Sequence, residues 1–246
     1  YHGVVACALG WACWKTYVGR PETDRLRLFA MCVLDAGLME VNNYQDALVV
    51  IEAVADNIRR HGSPPALLVK NQNELAMCYD HLGRHEDALQ VKRKILADNE
   101  RLVGPDHPTT VILALNLASC LTKSSTLTKE VPSQEELTEA KALLRGALER
   151  SRRSRLVGPN HDLTFKIMGS LAQCLTLGRT AGHPSSSSAD LHEAIEILED
   201  ATPRARRVLG RGHPGTQQLE FELESARNIL KIDADLVAFR KAGIPM

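Results

Sequence analysis

The sequence predicts an all-α fold, an α-solenoid of antiparallel helix pairs, and three observations predict it. First, Leu-Ala-x-Cys occurs three times, at Leu75-Ala76-Met77-Cys78, Leu117-Ala118-Ser119-Cys120 and Leu171-Ala172-Gln173-Cys174. Second, a glycine precedes each of these leucines by thirteen residues, at Gly62, Gly104 and Gly158. Self-similarity at a fixed period marks an array of supersecondary units, none of which buries its apolar face alone. Third, apolar residues between the glycines recur at steps of three and four, the helical period, and no run alternates as a strand would.

His2 to Val18, carrying Trp11 and Trp14, predicts a helix packed over the first repeat, either a cap (residues 1–18) or helix B of a preceding repeat. The array itself is expected over residues 19–230, in repeats 19–61, 62–103, 104–157, 158–209 and a partial 210–230. Each repeat opens on a glycine turn: Gly19-Arg20-Pro21, Gly62-Ser63-Pro64, Gly104-Pro105-Asp106-His107-Pro108, Gly158-Pro159-Asn160-His161 and Gly210-Arg211-Gly212-His213-Pro214. Glycine suits a left-handed helix C-cap, and proline suits the first turn of the next helix.

In the first repeat, helix A is expected over about 24–41 and turns at Asn42-Asn43. Helix B then carries Ala47, Ile51, Val54 and Ile58 inward. In the second repeat, helix A runs about 66–82, Gly83-Arg84 turns, and helix B runs 85–102 with Ala88, Val91, Ile95 and Leu102 on its stripe. Repeats three and four carry extra residues between their helices, 123–132 and 179–188, rich in serine and threonine and read as loops. Ser133-Gln134-Glu135-Glu136 then fits a capping box that restarts helix B. In the fourth repeat helix B shows Leu191, Ala194, Leu198 and Ala201. A fifth helix A carries Leu219, Leu223, Ala226 and Leu230, and residues 231–246 form the cap and tail.

Composition narrows the function classes. Thirty basic side chains balance thirty acidic ones, so the positive excess of a nucleic-acid binder is missing. The longest apolar stretch, Val4 to Trp14, is too short to span a bilayer, which takes about 20 residues. No basic segment precedes it, so no signal peptide is expected. The opening at Tyr1 rather than methionine suggests a piece of a longer polypeptide. Of six cysteines, Cys7, Cys13, Cys32, Cys78, Cys120 and Cys174, none forms Cys-x-x-Cys. Three lie a repeat apart, too distant to bridge, and read as small buried apolar residues of a cytoplasmic protein.

Chemistry-bearing patterns are sparse. No Gly-rich phosphate loop, Gly-x-Ser-x-Gly elbow or His-Glu-x-x-His is present, so no active site and no cofactor are expected. His107, His161 and His213 recur in the turns. Residues a repeat apart cannot converge on one metal ion. Each reads instead as a turn residue holding its junction through a local hydrogen bond. Arg145, Arg150, Arg152, Arg153 and Arg155 crowd one helix end, and Arg204, Arg206, Arg207 and Arg211 another. Cations there complement the helix dipole, or could meet an acidic peptide or phosphate.

Leu102-Val103-Gly104-Pro105-Asp106-His107-Pro108-Thr109-Thr110, followed by Ala114-Leu115-Asn116-Leu117-Ala118, resembles the 42-residue tetratricopeptide repeats of kinesin light chains. The second repeat adds Leu75-Ala76, Tyr79, Leu82-Gly83-Arg84 and Glu86-Asp87-Ala88-Leu89, the family's junction between helices A and B. Asp35 and Glu224 stand where the family usually has a small residue. The resemblance implies a right-handed superhelix whose A helices line a concave face, where asparagines hold an extended peptide. The corresponding positions here are Lys70, Asn73 and Met77, then Asn116, Ser119 and Lys123, then Lys166, Ser170 and Gln173, with Gln218 and Ser225 beyond.

The reading is therefore a non-enzymatic scaffold that binds a peptide or partner protein in that groove, with no metal, membrane or nucleic acid. A second reading is an assembly or regulatory appendage of a larger enzyme or zinc-finger protein.

Overall fold

The computed structural model describes residues 2–122, 131–180 and 188–241, and among these every regular element is a helix. In chain order they are α1 (His2–Tyr17), α2 (Arg25–Glu40), α3 (Tyr44–His61), α4 (Pro65–His81), α5 (His85–Val103), α6 (Pro108–Thr122), α7 (Gln134–Arg153), α8 (Asp162–Thr180), α9 (Ser188–Val208) and α10 (Pro214–Lys241). The chain forms two compact units. One holds α1 to α4 and most of α5; the other holds the end of α5 and α6 to α10. Residues 123–130 and 181–187 of the two extra segments, and residues 242–246, lie outside the described residues.

Turn chemistry sets the helix boundaries. Gly62, Gly104, Gly158 and Gly210 have φ between 75° and 90°, the left-handed region that glycine enters without a Cβ penalty. Gly19 is a correction: its φ is not positive. The left-handed residues of the first two A-to-B turns are Asn42 (φ 59°) and Gly83 (φ 77°). At the next helix starts, three histidines act alike. Nδ1 of His107 accepts from the Thr109 N–H at 3.2 Å, that of His161 from Leu163 at 3.1 Å, and that of His213 from Gly215 at 3.1 Å. Each satisfies an orphan N–H of the first helical turn, as an N-cap side chain does. The hydroxyls of Thr110 and Thr164 donate back to the carbonyls of Gly104 and Gly158, closing the turn. Ser133 and Glu136 form the capping box of α7.

Small residues let the helices approach. Ala76, Ala118 and Ala172 on A helices, and Ala47, Ala88, Ala140 and Ala194 on B helices, are at most 1% exposed. In the first unit Leu34, Leu38, Ala47 and Ile51 form one apolar cluster and Met31, Val54 and Ile58 another, with Trp14 of α1 packed on both. Each large aliphatic buried this way contributes about 1.5–3 kcal/mol. The stripe on α5 differs from the sequence reading. Leu102 is 60% exposed, while Leu89, Leu96 and Asn99 are buried beside Ala88 and Ile95. Asn99, one turn after Ile95, continues the covered face, and Leu102 falls past it.

The pairing of α1 with α2 is the closest in the first unit. A Cβ on Gly37 would stand 2.7 Å from Ala6 O and Cys7 Cα, and one on Gly10 would stand 2.8 Å from Leu34 Cα. Only glycine permits that backbone contact. At the other end, α10 runs through Lys231 without a break, so the expected final helix prolongs the fifth A helix.

Candidate functional site

The described candidate residues lie on the A helices α4, α6 and α8. Their spacing explains why they share a face. Lys70, Asn73 and Met77 on α4 follow steps of three and four, as do Asn116 and Ser119 on α6 and Lys166, Ser170 and Gln173 on α8. Lys70, Met77, Lys166 and Gln173 are exposed; Asn73, Asn116, Ser119 and Ser170 are half-buried. Lys123 lies outside the described residues.

In the second unit these side chains gather around two hollows between α6 and α8. One, about 440 Å³, is lined by Ile112, Leu115 and Asn116 from α6, Leu163 and Lys166 from α8, and Leu156 from the preceding turn. The other, about 300 Å³, is lined by Ser119 and Thr122, by Ser170, Gln173 and Leu177, and by Leu144 of α7. Asn116 and Lys166 thus border one hollow, and Ser119, Ser170 and Gln173 the other. In the first unit Lys70 borders a larger hollow, about 830 Å³, shared with Phe29, Cys32, Asn57, His61 and Leu67; Asn73 and Met77 do not line it.

Hydrogen bonding separates two kinds of amide. Asn57 donates to Glu22 O and Asn71 to Ile51 O, tying helices together. Asn43 caps α3, and Asn160 accepts from Arg204. Asn73, Asn116 and Gln173, by contrast, make no side-chain hydrogen bond among the described residues, and neither do Ser119 and Ser170. An amide both donates and accepts, so this face keeps open the pairing that an extended backbone requires. The two lysines are held only by pairs along their own helices, Lys70–Glu74 and Lys166–Asp162, each at 2.8 Å. Lys166 is exposed, and a surface pair of this kind contributes at most about 1 kcal/mol, so a ligand can redirect its ammonium at little cost.

Two carboxylates were not singled out as site residues by the sequence. Glu222 of α10 occupies the repeat position of Asn116 and Ser170, the residue just before the leucine. Burial pushes its carboxyl up to about 7, against the opposing hydrogen bond from Gln218. Its Oε2 is buried without a partner, and a Cβ on Gly169 of α8 would stand 3.0 Å from it. Glycine at 169 therefore makes the room that Glu222 fills. In the first unit Asp35 is fully buried, and neither of its oxygens has a partner. Burial, then the charge of Glu74, push it up to about 7, against the pull of Lys70. Counting repeat positions would have located Glu222; nothing in the sequence shows that its carboxyl is enclosed.

Other groups are structurally committed. The clustered arginines pair with carboxylates: Arg145 with Glu193, Arg150 with Glu100, Arg152 and Arg204 with Asp200, and Arg206 with Glu220. Apart from Arg204–Asp200, which lies along α9, these pairs join B helices to their neighbours. Cys78, Cys120 and Cys174 are at most 1% exposed, and burial pushes the thiols of Cys78 and Cys174 up to about 11. At neutral pH they are protonated and poor nucleophiles. No helix among the described residues is long and apolar enough to cross a membrane.

The tetratricopeptide repeat family profile matches residues 72–109 and 186–215. No curated protein matches the chain. Among solved structures, the nearly identical TPR-like repeats of a chain classed as a kinesin light chain in Podosopora anserina align with a TM-score of 0.64 at 17% identity, covering 91% of this chain and 96% of that one. A single-substitution form of the same repeats aligns with a TM-score of 0.64 at 18% identity, covering 88% and 93%. BtubC (BKLC) from P. vanneervenii aligns with a TM-score of 0.53 at 14% identity, covering 95% and 90%. Likeness at this identity is likeness of fold.

Proposed function

This chain carries tetratricopeptide repeats in a kinesin light chain-like fold, and from that premise we propose that it is a non-enzymatic scaffold holding an extended segment of a partner protein against its A helices. One observation carries the reading: the unengaged amides and hydroxyls of Asn116, Ser119, Ser170 and Gln173 sit beside two hollows of the second unit, while the amides of Asn57 and Asn71 are occupied within the fold. The amides pair with the backbone of an extended ligand. The apolar wall of Ile112, Leu115 and Leu163 takes a side chain, and Lys166 stands at the rim. Asn73, Lys70 and Met77 present the same kind of surface on α4. Binding requires neither cofactor nor metal.

The test is fluorescence polarisation of an extended-peptide library against the parent and against Asn116→Ala, Lys166→Ala, Gln173→Ala and Asn73→Ala. Circular dichroism verifies that each variant stays helical. A hydrogen bond contributes about 0.5–1.5 kcal/mol, so each second-unit amide variant weakens a bound peptide by roughly 2- to 10-fold. Equal binding by all four variants would remove this face from consideration.

A further inference from the structure

Helix α1 is apolar on nearly every side; Lys15 is its one charged side chain apart from His2. Such a helix is normally enclosed by protein. Here Gly10 is its only buried residue, while Val4 is 68% exposed, Val5 56%, Leu9 62% and Trp11 43%.

Repeat register shows what this face is built to meet. The turn glycines Gly19 and Gly62 lie 43 residues apart, so α1 stands where α3 stands, in the place of a B helix. Ala47, Ile51 and Val54 of α3 are 0% exposed, and they pack with Met31, Leu34 and Leu38 of the A helix before them. Their counterparts on α1 are Val4, Ala8 and Trp11, all exposed. The other register also agrees. Val50 and Asn57 of α3 correspond to Cys7 and Trp14 of α1, the residues that pack on the clusters of the first unit. In α7 and α9, as in α3, one A helix lies before and another after. Among the described residues α1 has only the following one, α2.

We propose that the open face of α1 is a stacking surface for one more A-type tetratricopeptide helix, laid on Val4, Ala8 and Trp11 as α2 is laid on Ala47, Ile51 and Val54. The occupant is an amphipathic helix with large apolar residues at the spacing of Met31, Leu34 and Leu38. Its dock is the outer apolar stripe of α1, a continuation of the contact that already joins α2 to α3.

The inference is tested by adding that helix to the whole chain. Residues 24–43, which comprise the N-cap Asp24, α2 and its turn, are joined directly to Tyr1, the counterpart of Tyr44. The added copy carries Asp35→Ala, so that the buried carboxyl is not duplicated. A Trp14→Phe background leaves Trp11 as the reporter. Acrylamide quenching of Trp11 should fall roughly twofold, as for an indole moving from partly wet to enclosed, and the Tm should rise. Val4→Ser with Ala8→Ser in the fused chain should abolish both gains while helix content stays constant. Unchanged quenching in a folded fusion would overturn the proposal. So would light scattering that shows the unfused chain to be a dimer which Val4→Ser with Ala8→Ser dissociates, since the occupant would then be a second copy.

Discussion

Replacing Asp35 should stabilise the protein, and the gain should grow with pH. The carboxyl is fully buried, its oxygens lack partners, and burial raises it from 3.8 to about 7. Below pH 3.8 the group is neutral in folded and unfolded chains alike. Between 3.8 and 7 the unfolded chain ionises while the folded one stays protonated, so folding is progressively disfavoured as pH rises. Above 7 both are ionised, and the full cost of a buried charge is present. A raised pKa therefore contributes stability at low pH that is lost on passing through 7. The interval from 3.8 to about 7, at 1.36 kcal/mol per unit, corresponds to about 4 kcal/mol. Asp35→Ala removes this dependence. Urea unfolding followed by far-UV circular dichroism, run from about pH 4 to about pH 8.5 on parent and variant, measures it. The variant's advantage should widen by about 4 kcal/mol across that range, with the steepest change between about pH 4 and 7. A difference that is flat with pH, or that shrinks as pH rises, would refute the reasoning. Comparing the two proteins at each pH cancels the titration of shared groups remote from Asp35, while Glu74 and Lys70, whose charges act on it, are part of the measured difference.

Further tests address separate parts of the fold. His161→Ala should cost about 1 kcal/mol through loss of the α8 cap, and His161→Asn should recover most of it, since either side chain accepts from the Leu163 N–H; paired urea melts decide. Gly37→Ala should destabilise the first unit by about 1–3 kcal/mol or more, because its Cβ meets backbone of α1 at 2.7 Å. Gly146→Ala, inside α7 with nothing within 4 Å of the added Cβ, should gain about 0.5–1 kcal/mol; a loss there would mean that α7 is enclosed at this position. A double-mutant cycle on Arg145 and Glu193, both substantially exposed, should give a coupling of about 0.2–1 kcal/mol that weakens in high salt.

Local chemistry was legible in the sequence; environment was not. Glycine and proline spacing located the helix ends to within a residue or two, because turn geometry depends on neighbours in the chain. The capping box at Ser133–Glu136 and the histidine turns were readable for the same reason. The partners of the arginines were not. Arg145 and Glu193 lie 48 residues apart, and their meeting depends on how successive B helices stack. Asp35 and Glu224 both departed from the family's small residue, yet Asp35 is wholly buried while Glu224 is exposed; α10 bounds the described array, and α2 lies inside it. The binding-face residues were legible as a register, the positions flanking Leu-Ala. Their grouping around two hollows, and the filling of the Gly169 gap by Glu222, required the helices in space.

The central claim, that the amides of the A-helix face await a ligand, is tested most directly by side-chain amide NMR during titration with a peptide selected from the library. The NH₂ resonances of Asn116 and Gln173 should shift and gain protection from solvent exchange, while those of Asn57 and Asn71, already engaged within the fold, stay in place. Saturating peptide that leaves Asn116 and Gln173 unmoved, while resonances elsewhere shift, would contradict the account.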